Sequence, residues 1–474
     1  MARTLIENGY VVTMNRARDV WAGGHVAIDG TAIESVGATR PPGPFDRVLD
    51  ARGMIVVPGL INAHQHFYYH LFKGAANGLL IEDWFPELVF PVVRHLNDDD
   101  MELTSWLAGI EMLTSGTTCC LHHLRTTTSE ETLRRLTKPT VALGFRQMVG
   151  KEFQCRLPGN PHHPRDLQEE TDHLEALIPS WRNAHDGLVR LCLVVEGNAV
   201  FIDQQVTSEE LIVAGHRLAA KHGLKISTHI AAGTLSFDRS YMQVLRKTGR
   251  SETQGLAQMG VLDDSFVLAH GINLTASDIE LIADAGASVV YTPTSEAVRG
   301  GGIGPAAALA AAGINVALGS DGPMVDYSVD MVEQMKACSL LQNAKHLNPG
   351  AMPPERCLEF ATIGAARALG LDSEIGSLEA GKLADIAVFD LRTPQAMPAN
   401  NPISALIYSA RGRDAHTVFV NGREAVSAFR LTAAVDVPAI CERAQARATE
   451  IIALAGLKRR VEPRWPHTLN SQTI

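Results

Sequence analysis

The stretch Pro58-Gly-Leu-Ile-Asn-Ala-His64-Gln-His66-Phe67 decides how this chain is read. It prolongs an apolar run, Met54-Ile-Val-Val, and ends on two histidines spaced two apart. In a strand, side-chain alternation sends both imidazoles to the same face. Neutral imidazole is a frequent ligand of zinc-like ions, so such a pair at a strand end can grip one metal. A lone His-x-His is as often an ordinary polar pair, so the reading depends on what other strand ends carry.

Outward from this stretch, apolar β-rich runs alternate with helical patterns. The runs fall at 56–66, 116–123, 144–151, 188–196, 224–229, 265–270, 287–292 and 315–321. Eight strands with helices between them predict an α/β fold, a parallel (β/α)8 TIM-like barrel, here over 58–371. The chemistry of such barrels gathers at the C-terminal ends of the strands. Those ends carry His64/His66, His122/His123, Lys151, Glu196, His229, His270, Thr292 and Asp321, nearly all metal-ligand or acid–base types. Outside the barrel, 1–57 and 372–431 share a texture of short strands and turns, as in Asp385-Ile-Ala-Val-Phe-Asp390 and His416-Thr-Val-Phe-Val. They are expected to meet in one composite β-sandwich domain. Residues 432–474 read as a helix near 438–457 and a polar tail.

With the strands closed into a barrel, His64 and His66 face His229 and Asp321 across the mouth. Three imidazoles and a carboxylate suit Zn, with Fe, Mn or Co as alternatives, in one or two ions per chain. Such an ion lowers the pKa of a bound water toward neutrality. Asp321 is placed to take the water proton and pass it on, and His270 sits beside the nucleophile or holds a second ion. Taken singly, His270 reads as a core histidine and Ser320-Asp321-Gly322 as a turn; only the joint order favours metal. Phe67, Tyr69, Trp84, His122, His123 and Phe153 are the expected substrate contacts.

Composition narrows the partners. The 474 residues carry a net charge of −10, which disfavours nucleic acid. No apolar stretch reaches the roughly 20 residues of a membrane helix, and the N-terminus lacks a signal-peptide pattern. Seven cysteines without a CxxC pair read as reduced buried thiols, Cys119-Cys120 among them in a strand interior. A cytoplasmic homo-oligomer acting on a small neutral organic substrate is the expectation.

Several motifs together resemble the amidohydrolase superfamily, in particular its branch of cytosine, guanine and S-adenosylhomocysteine deaminases and triazine hydrolases. They are Pro58 to His66, Asp83-Trp84, Ser115-Gly-Thr-Thr118, Ser227-Thr-His229, Leu268-Ala-His270-Gly, Gly319-Ser-Asp321-Gly and Ile375 to Asp385. The resemblance implies the barrel with its composite sandwich, and metal-ligand roles for His64, His66, His229 and Asp321. It also implies a glutamate three residues after the strand-five histidine, which shuttles a proton to a ring nitrogen. This chain has Ala232 there, and the familiar Ser-Asn pair near strand seven reads Ser295-Glu296. Glu196 is a bridging carboxylate for two metals or a salt-bridge partner of Lys151 or Arg146. Without the ring-protonating glutamate, the expectation is C–N hydrolysis of an amide-, urea- or (thio)carbamate-like compound, as in the phenylurea and thiocarbamate hydrolases. The alternative is a deaminase or dechlorinase of a pterin, purine or triazine, with Glu196 or His123 in the lost glutamate's place.

Overall fold

The computed structural model describes residues 3–124, 129–236 and 239–462. Eight strands form the central sheet: β1 (Leu60–Gln65), β2 (Thr117–His123), β3 (Arg146–Glu152), β4 (Val189–Val194), β5 (Ile226–Ile230), β6 (Phe266–His270), β7 (Ser288–Tyr291) and β8 (Val316–Leu318). They pair in parallel and in sequence order. A parallel bridge between Gln65 and Asp321, with Asp321 N–H donating to His64 O at 3.0 Å, joins the last segment to the first. The eight-stranded parallel (β/α)8 barrel is therefore the observed fold. Its strands are buried on both faces, and their Val-, Ile- and Leu-rich sequences follow from that.

A second, nine-stranded sheet draws on both ends of the chain. Its spine runs from Arg430–Leu431 through Arg423–Ser427, Ala415–Val420 and Ile386–Asp390 to Met54–Pro58, Arg3–Val12, Val20–Asp29 and Ala32–Gly37. Arg47–Asp50 pairs with Arg3–Val12 off this path. Met54–Pro58 lies antiparallel to Ile386–Asp390, and Ile6, Val26, Val56, Val388 and Phe419 pack in a small core of its own. Residues 56–66 are thus two strands in two sheets rather than one. The break falls at Gly59, where any Cβ would collide with the Thr118 side chain. Only a glycine lets the backbone pass that close to β2 and turn from one sheet into the other.

The C-terminal helix, Val437–Leu454, returns onto helix Asp98–Thr114, where the Arg447 guanidinium forks onto Asp100 at 2.7 and 2.9 Å. Cys119 and Cys120 are buried in β2, and burial pushes the Cys119 thiol up to about 12. Among the described residues no helix is long and apolar enough to cross a membrane.

Candidate metal centre

His64 and His66 project from the end of β1 into the barrel mouth, as their spacing predicts. The His64 ring has four imidazoles around it, with centroids 4.9 Å away at His66, 5.2 Å at His123, 5.0 Å at His229 and 5.3 Å at His270. Asp321 Oδ1 lies 3.4 Å from His66 Nε2 and 3.7 Å from His64 Nε2, and the Nε2 atoms of His66 and His229 are 3.4 Å apart. Both ring nitrogens of His64 are buried without a hydrogen-bond partner. Buried polar atoms are normally satisfied, and converging imidazole lone pairs repel unless a cation lies between them. The donor set of nitrogens and one carboxylate therefore fits a borderline divalent ion.

Electrostatics keep these groups in their ligating forms. Burial lowers His64 well below the ordinary histidine value and brings His229 down to about 4, so both are neutral at pH 7. Burial would raise the Asp321 carboxyl, but the His64 and His66 imidazoles facing it outweigh that and hold the group well below the usual range. The Ser295 hydroxyl donates to Asp321 Oδ2 at 2.6 Å and fixes its rotamer. His270 and Asp321 also adopt left-handed backbone, with φ of +78° and +61°. Such strain in non-glycine residues concentrates at functional sites.

Two carboxylates stand behind the imidazoles. Glu196 accepts from His229 Nδ1, with both oxygens at 2.9 Å, and from His123 Nε2 at 3.1 Å. That contact turns His229 Nε2 toward the centre, the usual job of an outer carboxylate. Burial works against ionisation of Glu196, yet His229 and His123 hold it well below the carboxylate range. These contacts correct the salt-bridge expectation: Glu196 lies against His229 and His123, whereas Lys151 binds Glu170 and the Glu152 carbonyl, and Arg146 binds Asp385. His123 can be grouped with His64 and His229 as donors, but its Nδ1 is engaged by Ser227 at 2.9 Å and its Nε2 by Glu196. The grouping of His64, His270 and Asp321 leaves the donors freer.

Glu296 is the second carboxylate. It sits 2.8 Å from His270 Nδ1, leaving His270 Nε2 for the site, and pairs with the buried guanidinium of Arg299 three residues on. Arg299 faces the mouth together with His66, Tyr69, Trp84, Asn198, Phe201, His229, His270 and Asp321. Tyr69 and Trp84 thus lie where the sequence suggested. Phe67 and His122 do not: they stack on each other at 3.9 Å, on the opposite side of β2 from His123. Phe153 packs toward Gly215 of helix Glu209–His222, between barrel and helix ring, because it follows a strand whose alternation has already turned it outward. Arg299, Asn198 and Phe201 were missed. The one available signal was Glu296 three residues before Arg299, the spacing of a helical ion pair. A larger apolar cavity of about 590 Å³ under the C-terminal helix contains none of the clustered ligand-type residues and is not this centre.

The sequence model of the Amidohydrolase family matches residues 55–425. The chain is 34% identical over 447 residues, covering 93% of its length and 97% of the relative's, to a 5-methylthioadenosine/S-adenosylhomocysteine deaminase of Syntrophobacter fumaroxidans. It is 31% identical over 407 residues to a 5'-deoxyadenosine deaminase of Methanothermobacter thermautotrophicus, covering 84% and 88% of the two chains. Among solved structures, an adenosine deaminase from Xanthomonas campestris with bound zinc superposes with a TM-score of 0.86 at 26% identity, over 95% and 98% of the chains. A zinc-complexed atrazine chlorohydrolase of Arthrobacter aurescens, at 24% identity and a TM-score of 0.83 over 95% and 100% of the chains, shares the fold. A family match over most of the chain and relatives of the same length carry the conclusion: the chain belongs to the amidohydrolase family and is a hydrolase acting on carbon–nitrogen bonds.

Proposed function

We propose that this protein removes an amino group from a nitrogen heterocycle, by hydrolysis at the ring carbon that bears it. The observation that carries this reading is the cluster of His64, His66, His229, His270 and Asp321 at the mouth of a chain that runs collinear with relatives named for aminopurine-nucleoside deamination. The missing glutamate at Ala232 had turned the sequence toward ureas and amides; the relatives turn the balance back.

His64, His66, His229 and Asp321 would hold a divalent ion, zinc first, which when bound supplies a water acidic enough to attack at neutral pH. Asp321, ionised and oriented by Ser295, accepts the proton of the attacking water and returns it to the departing nitrogen. Glu196 holds His229 in the tautomer that points Nε2 inward. Glu296 does the same for His270, whose Nε2 then accepts a hydrogen bond at the reacting face. Arg299 borders the chamber with its guanidinium paired to Glu296, and its positive charge there steadies negative charge developing on the ring or on an exocyclic oxygen. Tyr69 and Trp84 supply apolar walls that exclude bulk water.

A second reading stays open on a specific observation. Ala232 carries no proton, and Arg299 suits an oxyanion, so a urea- or carbamate-like carbonyl is the next substrate to try. Zinc-loaded protein is expected to release ammonia from aminopurine nucleosides or aminotriazines, and no amine from phenylureas or thiocarbamates. The reverse pattern would overturn the proposal in favour of the second reading. Full activity in His64→Ala or Asp321→Asn would remove the metal centre from both.

A further inference from the structure

The apolar cavity of about 590 Å³ beneath the C-terminal helix takes no part in the chemistry of the barrel mouth. It backs onto the metal centre through a short 3₁₀ helix, Phe67–Phe72, which follows directly on His66. Tyr69 of this segment lines the metal chamber, whereas His70, Leu71 and Phe72 line the cavity. All six of its residues are buried, so a molecule in the cavity is walled off from the metal ligands.

The roof of the cavity is helix Val437–Leu454, and it is fixed on both sides. Arg447 forks onto Asp100 within the helix, and beyond its end Arg460 Nη2 donates to Glu87 at 2.6 Å. The volume held open between roof and wall lies in the range of small-molecule sites. Leu107, Ile110, Ala444, Ala448 and Ile452 make its lining largely apolar.

One end is polar and incompletely satisfied. The His70 Nδ1–H donates to Phe67 O at 2.9 Å, which leaves Nε2 as an acceptor. Burial brings His70 down to about 4, so at pH 7 the ring is neutral and has no second proton to donate. Nε2 is buried without a hydrogen-bond partner among the described residues, and it faces Glu111 Oε2 at 3.8 Å. Glu111 accepts from Lys73 at 3.2 Å and from Ser328 and the Val329 N–H at 2.9 Å each, and brings no donor to His70. Two acceptors thus face each other at the end of an apolar cavity, and a buried acceptor left unpaired is costly. What this end lacks is an O–H or N–H.

We propose that the cavity is a second ligand site, back to back with the metal centre, for molecules of the phenol and arylamine class. Such a molecule has a hydrocarbon body that carries one hydrogen-bond donor. The body lies between Leu107, Ile110 and Ala448, and the donor meets His70 Nε2. The proposal does not depend on which reaction the barrel mouth performs.

The test titrates the zinc-loaded protein with 1-naphthol and with 1-methoxynaphthalene, the same body without the donor, each followed by its own fluorescence anisotropy. 1-Naphthol is expected to bind about tenfold more tightly than the methyl ether. His70→Phe is expected to bring the two affinities together. Ala448→Phe, which fills the cavity from the roof, is expected to abolish binding of both. Cys441 lines the cavity and is the one exposed thiol among the described residues, so saturating 1-naphthol is expected to slow its reaction with a disulfide reagent several-fold. Equal affinities for the two compounds, an unaltered preference in His70→Phe, or unchanged reactivity of Cys441 would overturn the proposal. So would a Cys441 shielded in a dimer without ligand and freed on dilution, which would assign the cavity to a second copy of this chain.

Discussion

At the scale of single residues, two departures from the branch pattern stand out, Ala232 for the glutamate and Glu296 for the asparagine, the second paired with Arg299. Restoring the proton carrier with Ala232→Glu is expected to raise ammonia-releasing kcat/KM at least tenfold, since a positioned acid–base group contributes about 10²–10⁴. An unchanged rate would mean that another group already moves that proton. Glu296 and Arg299 form a fully buried pair, so each is stable only in the other's company. Arg299→Leu strands a buried carboxylate and is expected to cost about 3–5 kcal/mol by urea unfolding, whereas Glu296→Asn/Arg299→Leu together should lose much less. A double variant as unstable as the single one would contradict this account.

Among the elements, the loops after β4 and β5 share one fastening. Glu252, at the start of helix Glu252–Gln258, accepts from the Ala199 N–H of one loop and the Ala231 N–H of the other. Burial raises its carboxyl from 4.5 to about 7, against the opposing pull of those two N–H groups. A raised folded pKa means that the native state binds the extra proton. This group's contribution is therefore whole below about pH 4.5 and declines as pH rises toward 7, by up to about 3 kcal/mol. Between pH 5 and 8 the melting temperature of Glu252→Gln is expected to fall less than that of the parent; parallel curves would rule out Glu252 as the titrating group. The elements also show what a sequence can and cannot disclose. His64, His66, His229 and His270 were legible because period-two alternation and barrel order fix where strand ends point, and Asp321, past the end of β8, through the Gly319-Ser-Asp321-Gly motif. Glu196 lies beyond the end of β4, where no periodicity sets side-chain direction, so its partners His123 and His229 could not be read. His122 and Phe153 were misplaced for the complementary reason: each sits one residue out of phase with the inward face. Phe201 belongs to a short helix in a loop, and loop geometry leaves no pattern in the chain.

For the whole molecule, the decisive contact is the ion pair between β3 and the second sheet. Arg146 Nε and Nη2 meet the Asp385 oxygens at 2.9 and 3.1 Å with both residues buried, and Asp385 also accepts from the Asn421 N–H at 2.7 Å. Asp385→Ala leaves a buried guanidinium unpaired and is expected to destabilise by about 3–5 kcal/mol, read as a lower urea midpoint with an unchanged slope. The motif ending at Asp385 was visible in the sequence, but its partner was not, because the contact spans two sheets far apart along the chain. The same long span has a consequence for how the molecule comes into being. Met54–Pro58 leaves the ribosome long before Ile386–Asp390, the strand it must lie against, has been translated. Until then a row of backbone donors and acceptors waits unpaired on an apolar edge, the kind of surface that nascent chains aggregate through and chaperones cover. Synthesis of the last strands, rather than closure of the barrel, is then the event that covers this edge.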